Sequence, residues 1–273
     1  MVLEGNLEKM EARLEGTVQY TLPVGEGRVA LNPLIGKSLR ISFEGTINCT
    51  ACGRKTKKSY SQGHCYPCSQ RLASCDLCIM KPETCHYDKG TCREPQWGEE
   101  HCMQPHFVYL SNTSGVKVGI TRQTQIPTRW IDQGATQALP IFKVQTRLQS
   151  GLVEVMCKNH VADRTDWRRM LKGEGELLDM QTLRDELLGL CAEELDGFRV
   201  RFGEEALQPL TDAEVVALSY PVDEYPQKVS ALNLDKTPTI EATLLGIKGQ
   251  YLIFDKGVLN VRKYTGYRVS VEA

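Results

Sequence analysis

Residues 47–92 read INCTACGRKTKKSYSQGHCYPCSQRLASCDLCIMKPETCHYDKGTC, and this stretch contains eight of the chain's eleven cysteines. The region from residue 48 to 105 is rich in Gly, Pro and Lys and too poor in aliphatic residues to build an apolar core of its own. In a reducing compartment, clustered cysteines are more typical of a metal site than of a disulfide framework. The sequence therefore predicts a metal-stapled region here.

The most specific signal is a pair of Cys-x2-Cys motifs with twelve residues between them. Each motif places two thiolates on one tight turn, and two such turns supply the four sulfur ligands of a tetrahedral Zn²⁺ ion. Gly53 follows the first motif and would let the backbone turn beneath the metal. A mononuclear iron of the same geometry is the alternative. We predict a closed, structural zinc site on Cys49, Cys52, Cys65 and Cys68.

More candidate ligands follow than one further tetrahedral ion requires. Cys75 and Cys78 form a third Cys-x2-Cys pair. We predict a second zinc on this pair and two later residues, and an iron–sulfur cluster is the alternative. Spacing does not decide which residues complete the site, and a histidine beside a cysteine is often a supporting residue rather than a ligand. The candidates are Cys85, His86, Cys92, His101 and Cys102.

A basic segment, RKTKKSY at residues 54–60, lies between the first two Cys-x2-Cys motifs, on the loop of residues 49–68 that we call the first metal loop. Cations beside an aromatic ring can bind phosphates and stack a base, although a solvated hairpin has the same composition. Because the net charge is −1, nucleic-acid binding would depend on a local patch rather than on the whole chain. The expected contact residues are Arg54, Lys55, Lys57, Lys58, Lys117 and Arg122.

The flanking segments have the alternating pattern of β-strands. TVQYTL and SLRISFEGTI lie before the cysteines, and IEATLLGI, QYLIFD, VLNVRKY and YRVSVE follow Pro238, separated by KG, KG and TG turns. We expect these four to form a meander or barrel that could join the N-terminal strands. Between them, ELLDMQTLRDELLGLCAEEL has apolar residues at three- and four-residue steps and predicts a helix that ends at Asp196-Gly197.

Residues 106–135, HFVYLSNTSGVKVGITRQTQIPTRWIDQGA, resemble the opening of a GIY-YIG nuclease domain, in the variant whose second motif reads KIG. The family pattern is a β-hairpin with a glycine after the second strand, an arginine in the first helix and a glutamate on a later helix. Residues 107–110 and 116–120 match the hairpin, Lys117-Val118-Gly119 match the second motif, and Arg129 stands at the arginine's place.

The resemblance implies three catalytic residues: Tyr109, which would help to activate water, Arg129, which would stabilise the charged phosphorane, and Glu154, which would hold one divalent ion, usually Mg²⁺. In-line attack on a phosphodiester gathers negative charge that a guanidinium and a hard cation can offset. The match departs from the family pattern. The first motif's glycine is absent, Val108 rather than Tyr109 stands at the tyrosine's usual place, and Lys117 replaces the second motif's tyrosine.

The whole chain, including GTCREPQWG and KVGITR, also resembles an uncharacterised bacterial family of unknown function. We predict an α+β fold in four segments: an N-terminal β segment (1–47), a cysteine-rich zinc-binding region (48–105), a GIY-YIG-like α/β domain (106–200), and a linker with a C-terminal β meander (201–273). No apolar run long enough to span a bilayer and no signal-peptide pattern is present, so we expect a cytoplasmic protein without a membrane partner.

Two functions follow from these observations. The first is a zinc-binding protein that binds DNA or RNA and cleaves phosphodiesters with a divalent metal. The alternative is a non-catalytic, zinc-stapled module that binds nucleic acid or a protein. The mutual positions of Arg129, Glu154 and a tyrosine hydroxyl discriminate between them, because catalysis requires all three to reach one phosphate.

Overall fold

Three β-sheets with eight α-helices make up the part of the chain that the computed structural model describes, which is residues 2–161, 164–173 and 175–273. Helix accounts for 30% and strand for 34% of the protein, and the described strands form open sheets rather than a barrel. The predicted α+β class is therefore confirmed. The strands are β1 (Val2–Asn6), β2 (Glu11–Glu15), β3 (Thr17–Val24), β4 (Gly27–Ala30), β5 (Ser38–Asn48), β6 (Lys55–Thr56), β7 (His106–Asn112), β8 (Val116–Arg122), β9 (Gln137–Val144), β10 (Leu207–Pro209), β11 (Val216–Ala217), β12 (Thr239–Lys248), β13 (Tyr251–Phe254), β14 (Gly257–Asn260) and β15 (Tyr267–Glu272).

The helices connect and cover these sheets. They are α1 (Tyr66–Arg71), α2 (Leu77–Met80), α3 (Pro95–His101), α4 (Thr128–Asp132), α5 (Arg147–Lys158), α6 (Trp167–Met170), α7 (Met180–Leu190) and α8 (Ala192–Phe202). Short 3₁₀ turns, including Ala73–Cys75, Pro82–Thr84 and Val261–Tyr264, join the smaller elements. Within the described ranges, no helix is both long and apolar enough to cross a membrane.

The largest sheet joins the two ends of the chain in the order β1-β15-β5-β12-β13-β14, and β6 pairs with β5. All its named strand pairs are antiparallel, and Ile41 in β5 lies opposite both Ile240 and Val271. These apolar side chains are buried because strand residues alternate between the two faces. The expectation that the C-terminal strands join the N-terminal ones is thus confirmed. The four segments do not form one meander, however, because β15 pairs with β1 and β5 rather than with β14. The segment VLNVRKY is only partly a strand, since β14 ends at Asn260.

The central sheet has the order β10-β9-β7-β8, with β11 paired to β9. One face, which includes Val108, Leu110 and Val118, packs into a core that also includes residues of α5, α7 and α8. The opposite face turns Tyr109 toward Trp130 of α4 and into the core shared with the large sheet. Successive residues of β7 therefore pack into different hydrophobic cores.

The segment predicted as one helix ending at Asp196-Gly197 is two helices. The predicted apolar face is correct, because Met180, Leu187 and Leu195 are buried. However, the chain bends at Cys191, and α8 continues through Gly197 to Phe202. Burial of Phe198, whose ring lies 4.7 Å from that of Phe202, extends the helix past the glycine. Glycine costs only about 1 kcal/mol inside a helix, so packing decides the boundary.

Candidate metal centre and neighbouring polar cluster

The sulfur atoms of Cys49, Cys52, Cys65 and Cys68 all lie within 4.8 Å of one another. The Sγ atoms of Cys52 and Cys65 are 3.8 Å apart. Four sulfurs bound tetrahedrally to zinc at about 2.3 Å stand about 3.8 Å from each other, so the spacing fits a single ion. Cys52 is exposed and the other three are buried. This four-cysteine cluster could therefore hold Zn²⁺ with no position left for water.

Local backbone geometry builds both turns of this cluster. Cys49 follows β5 directly, and its carbonyl accepts a hydrogen bond from the Gly53 N–H at 2.8 Å. Gly53 has φ +71°, a conformation that favours glycine. Cys65 lies at the N-terminal boundary of α1, with Pro67 in the first turn, so Cys68 returns to the same side one turn later.

Electrostatics of the cluster favour a bound cation. Burial acts to raise the pKa of Cys49, but hydrogen bonds from the backbone N–H groups of Cys65 and Cys52 outweigh it and lower that pKa to about 6. A hydrogen bond to Cys65, followed by burial, raises the pKa of Cys68 to about 12. Four thiolates cannot accumulate side by side without a positive charge between them, and a divalent ion supplies that charge.

The cluster also replaces an apolar core. The buried group in this region consists of Cys49, Cys65 and Cys68, with the partly buried Leu72 packed against them. The loop is attached to the large sheet, because the Asn48 N–H donates to the Gly266 carbonyl at 2.7 Å. Metal binding here would fix the shape of the loop and its position on that sheet.

The later cysteines divide into two places. Cys78, Cys85, Cys92 and Cys102 line one small cavity, together with Asp76 and His86. Cys75 instead lines a larger cleft on another side of the same segment. The two candidate histidines have other partners: His86 Nδ1 lies 2.8 Å from Thr91 Oγ1, and His101 Nδ1 lies 3.0 Å from the Trp97 carbonyl oxygen. The atoms of Asp76, Cys78 and His86 lie within 4.8 Å of one another.

The basic residues differ in exposure. Four of the six expected contact residues are exposed on the first metal loop, where Lys58 Nζ lies 5.4 Å from the centre of the Tyr60 ring. These four are Arg54, Lys55, Lys57 and Lys58. Lys117 is buried on β8, opposite Ser111, whereas Arg122 is half-buried at the end of that strand. The loop thus presents a positively charged surface, to which Lys117 and Arg122 do not contribute.

Tyr109 lies across the hairpin from Gly119 and is fully buried. A Cβ added at Gly119 would lie 2.8 Å from both Cζ and Oη of Tyr109, so the motif glycine provides the room for this ring. The hydroxyl donates a hydrogen bond to Gln133 Oε1 at 3.0 Å. Val108 faces the opposite core. Of these two neighbours, Tyr109 is therefore the one on the side of α4.

Arg129 and Glu154 lie close to Tyr109. Burial raises the pKa of Tyr109, the nearby Arg129 lowers it, and Glu154 raises it. Burial likewise raises the pKa of Glu154, while Lys158 and Arg129 act in the opposite direction. The Glu154 side chain is 12% exposed, and its Oε2 lies 3.5 Å from Lys158 Nζ. A strand and two helices thus bring the three residues into one polar cluster, the Tyr109–Arg129–Glu154 cluster.

Comparison with known proteins gives a family but no activity. Residues 36–269 match the profile of a family described as Protein of unknown function (DUF2797). The chain belongs to this family. No curated protein and no solved structure matches the chain. The matched range contains the first four-cysteine cluster, the small cavity and the Tyr109–Arg129–Glu154 cluster.

Several neighbours of this cluster in the DUF2797 protein were not identified from sequence. Glu83 interacts electrostatically with Glu154, and its Oε2 is buried without a hydrogen-bond partner. It arrives from the cysteine-rich region because Gly151 in α5 leaves room for Pro82 and Glu83 to pack directly on the helix. Lys158 was recognisable, since it follows Glu154 by four residues in a helix. No sequence signal connects Glu83 or Gln133 to the cluster.

The cleft that Cys75 lines has a volume of about 370 Å³. Its lining includes Ser61 and Gln62 of the first metal loop, Ile79 and Met80 of α2, and two cations, Lys9 and Arg262. The charges of both Asp132 and Arg129 act on the Arg262 guanidinium, which places it near the polar cluster. The cleft therefore lies between the first metal loop and α2, and Arg262 on its wall connects it electrostatically with Arg129.

Proposed function

We propose that this DUF2797 protein binds nucleic acid and cleaves a phosphodiester bond with a divalent metal at a GIY-YIG-like centre. The observation that carries the proposal is the convergence of Tyr109, Arg129 and Glu154 from separate elements. Support also comes from the order of those elements: a hairpin, a short helix that carries the arginine, a third strand and a longer helix that carries the glutamate. This order matches the pattern that the sequence resemblance implies.

Each residue has a distinct role in this chemistry. The Arg129 guanidinium would donate to a non-bridging oxygen of the scissile phosphate, where negative charge grows in the transition state. Glu154 would hold Mg²⁺, which supplies a hard positive charge to the same phosphate. Because burial raises the pKa of Tyr109, this residue is a neutral phenol at pH 7 and can orient a water molecule without removing its proton.

Basic side chains on the first metal loop and in the cleft would provide the contacts that bind nucleic acid. Phosphates along a bound strand could contact the exposed Lys55, Lys57 and Lys58, then Lys9 and Arg262 in the cleft, before reaching Arg129. Such contacts bind every sequence about equally and release counterions. The first zinc site would hold the basic loop in the position that this path requires.

A non-catalytic binding module is the second candidate, and a specific observation favours it. Tyr109 is fully buried, and Lys158 already pairs with the carboxylate of Glu154. Catalysis therefore requires Mg²⁺ to replace Lys158 as the partner of Glu154. If Lys158 keeps that place, the polar cluster only supports the fold beneath a binding surface.

The test is a combined binding and cleavage assay on zinc-loaded protein. End-labelled single- and double-stranded DNA and RNA are incubated with Mg²⁺ and the wild-type protein, Arg129→Ala or Glu154→Gln. Glu193→Gln and Arg201→Ala are matched controls, because both residues are exposed on α8, outside the polar cluster. We expect Glu154→Gln to abolish cleavage and keep binding, and Arg129→Ala to lower cleavage at least about 100-fold.

Three outcomes separate the two functions. Cleavage that both site variants lose and both control variants keep supports the enzyme. Binding without cleavage of any substrate, unchanged in Glu154→Gln, supports the non-catalytic module. Absence of both binding and cleavage would overturn the proposed function.

A further inference from the structure

The small cavity described above is surrounded by four cysteines that come from four separate short segments. Cys78 lies in α2, Cys85 follows the turn Pro82–Thr84, Cys92 precedes α3, and Cys102 follows α3. All four line the same small cavity. Electrostatic interactions connect Cys78 with Cys85 and Cys102, and Cys102 with Cys85 and Cys92.

We propose that Cys78, Cys85, Cys92 and Cys102 bind a [4Fe–4S] cluster. Four cysteine thiolates are the usual ligand set of such a cluster. Each thiolate binds a different iron, so the four sulfurs stand further apart than the ligands of one ion. This proposal does not depend on phosphodiester cleavage.

The spacing of the sulfurs favours a cluster over a second zinc. Among the described residues, the groups of three or more ligands whose atoms all lie within 4.8 Å are the Cys49, Cys52, Cys65, Cys68 set and the Asp76, Cys78, His86 set. The four cavity cysteines do not meet that criterion, although they face one space. Zinc ligands would stand about 3.8 Å apart.

The sequence spacing gives a second, independent reason. The four residues follow the pattern C-x6-C-x6-C-x9-C, in which no two ligands share a Cys-x2-Cys turn. Structural zinc sites commonly use such turns because two thiolates then approach one ion together. Here Cys75, the partner of Cys78 in the third Cys-x2-Cys motif, lies on the separate cleft. Four ligands from separate segments instead surround a larger group.

The group of Asp76, Cys78 and His86 does not provide a better single-ion site. One carboxylate oxygen of Asp76 lies 2.7 Å from Arg93 Nε, and the other accepts a hydrogen bond from the Leu77 N–H at 2.5 Å. Asp76 is therefore the N-terminal cap of α2 and the partner of Arg93. Asp76 Oδ2 also lies 3.4 Å from His86 Nε2, and these contacts beside the cavity would orient the segments that carry the cysteines.

One cationic group, the Arg147 guanidinium, offsets part of the negative charge that four thiolates bring. The Arg147 guanidinium donates to the Ile79 carbonyl at 2.8 Å and to the Cys78 carbonyl at 3.4 Å. The Arg147 N–H donates to the Cys102 carbonyl at 2.9 Å. One residue at the start of α5 thus ties two of the ligand segments together and places a positive charge beside them, as an anionic cluster requires.

Close packing at the cavity leaves little room for larger side chains. A Cβ added at Gly98 in α3 would lie 3.3 Å from Cys92 Sγ and 2.8 Å from the Tyr87 ring. With all four irons bound by cysteine, the cluster would have no open coordination position. Its function would be to hold residues 73–102 on α5, where Glu83 approaches Glu154.

Metal and sulfide analysis of the full chain, purified without oxygen, tests the proposal. Iron, acid-labile sulfide and zinc are measured per chain, and Mössbauer spectra of ⁵⁷Fe-labelled protein identify the cluster type. We expect iron and sulfide in equal amounts, with one zinc per chain. Cys92→Ser should lose most of the iron and keep the zinc. Cys75→Ser is the matched control, because it makes the same change in the same segment without touching the cavity, and should keep both.

The wild-type protein decides the question even if Cys92→Ser fails to fold. Two zinc ions per chain, with no iron and no sulfide after anaerobic purification and after incubation with iron and sulfide, would overturn the proposal. One zinc and no iron under the same conditions would overturn it as well. Loss of iron in Cys75→Ser, with retention in Cys92→Ser, would contradict the ligand assignment.

Discussion

The first four-cysteine cluster and the Tyr109–Arg129–Glu154 cluster are built in opposite ways. The four cysteines lie within twenty consecutive residues, on two tight turns, and their charges require a cation. The three polar residues span forty-six residues, on one strand and two helices, and already have protein partners in Gln133 and Lys158. One site would therefore depend on a bound metal for its shape, whereas the other is already held by protein partners. Loss of the first should affect folding, and loss of the second should affect activity.

The largest expected effect is that of Cys52→Ser. Structural zinc contributes about 10–16 kcal/mol to the folding of small zinc domains, and this loop has almost no apolar core to replace it. We expect loss of zinc and rapid proteolysis within residues 48–72, measured by metal analysis and mass spectrometry of the fragments. Cys75→Ser should behave as wild type in both measurements. Full zinc content in Cys52→Ser would show that the four cysteines do not act as one site.

A smaller effect is expected from Gly119→Ala, which tests the packing of the Tyr109–Arg129–Glu154 cluster. The added methyl group would contact the Tyr109 ring at 2.8 Å and push it away from Gln133. Overpacking of this kind lowers the free energy of unfolding by about 1–3 kcal/mol. Urea denaturation measures the change, and zinc content should stay the same.

Gly189→Ala in α7 is the matched control for that substitution. No atom lies within 4 Å of an added Cβ there, and alanine is the better helix former by about 1 kcal/mol. We expect a small gain in stability. An equal loss of stability at both glycines would show that the room beside Tyr109 is not what Gly119 provides.

The smallest effect is expected from replacing Lys55, Lys57 and Lys58 together by Ala. All three side chains are exposed, so folding and zinc content should not change. The affinity falls as the salt concentration rises. For each lysine that binds a phosphate, its replacement should make the slope of log affinity against log salt concentration less steep by about 0.7–0.9. Fluorescence anisotropy with a labelled oligonucleotide at several salt concentrations gives this slope. An unchanged slope would locate the phosphate-binding residues elsewhere.

The difference between the two clusters also explains what could be predicted from sequence. Cys-x2-Cys turns and alternating strands are local patterns, so the first four-cysteine cluster and the strands at both ends of the chain could be predicted. The third Cys-x2-Cys motif gave no guide to geometry, because α2 turns Cys78 into the cavity while Cys75 remains on the separate cleft. Local spacing carries no information about which of two adjacent spaces a thiol enters.

The Tyr109–Arg129–Glu154 cluster could be predicted from the sequence only in part. The resemblance named Tyr109, Arg129 and Glu154, but Glu83 approaches through a contact between a 3₁₀ turn and Gly151, which depends on tertiary packing. The break between α7 and α8 has the same origin. Its apolar periodicity was predicted correctly, whereas its end was set by Phe198 and Phe202 rather than by Gly197.

The pH dependence of divalent-metal binding follows from the pKa of Glu154. Burial raises this pKa above the ordinary glutamate value of about 4.3, and only the carboxylate binds a divalent ion. Affinity should therefore fall as the pH drops through a value higher than that of an exposed glutamate. The same shift disfavours the charged form in the folded state, so without metal the stability contribution of Glu154 is lost as pH rises through this range. Glu154→Gln should not destabilise the fold at neutral pH.

The most direct test of the account is the binding of Mn²⁺, a spectroscopic substitute for Mg²⁺, to zinc-loaded protein. Electron paramagnetic resonance measures the free Mn²⁺ remaining during a titration, without any knowledge of the substrate. Our account predicts one site per chain in the wild type and in Glu193→Gln, and none in Glu154→Gln. Equal Mn²⁺ binding by the wild type and Glu154→Gln, or no binding by either, would contradict the claim that Glu154 holds the divalent ion of a phosphodiesterase.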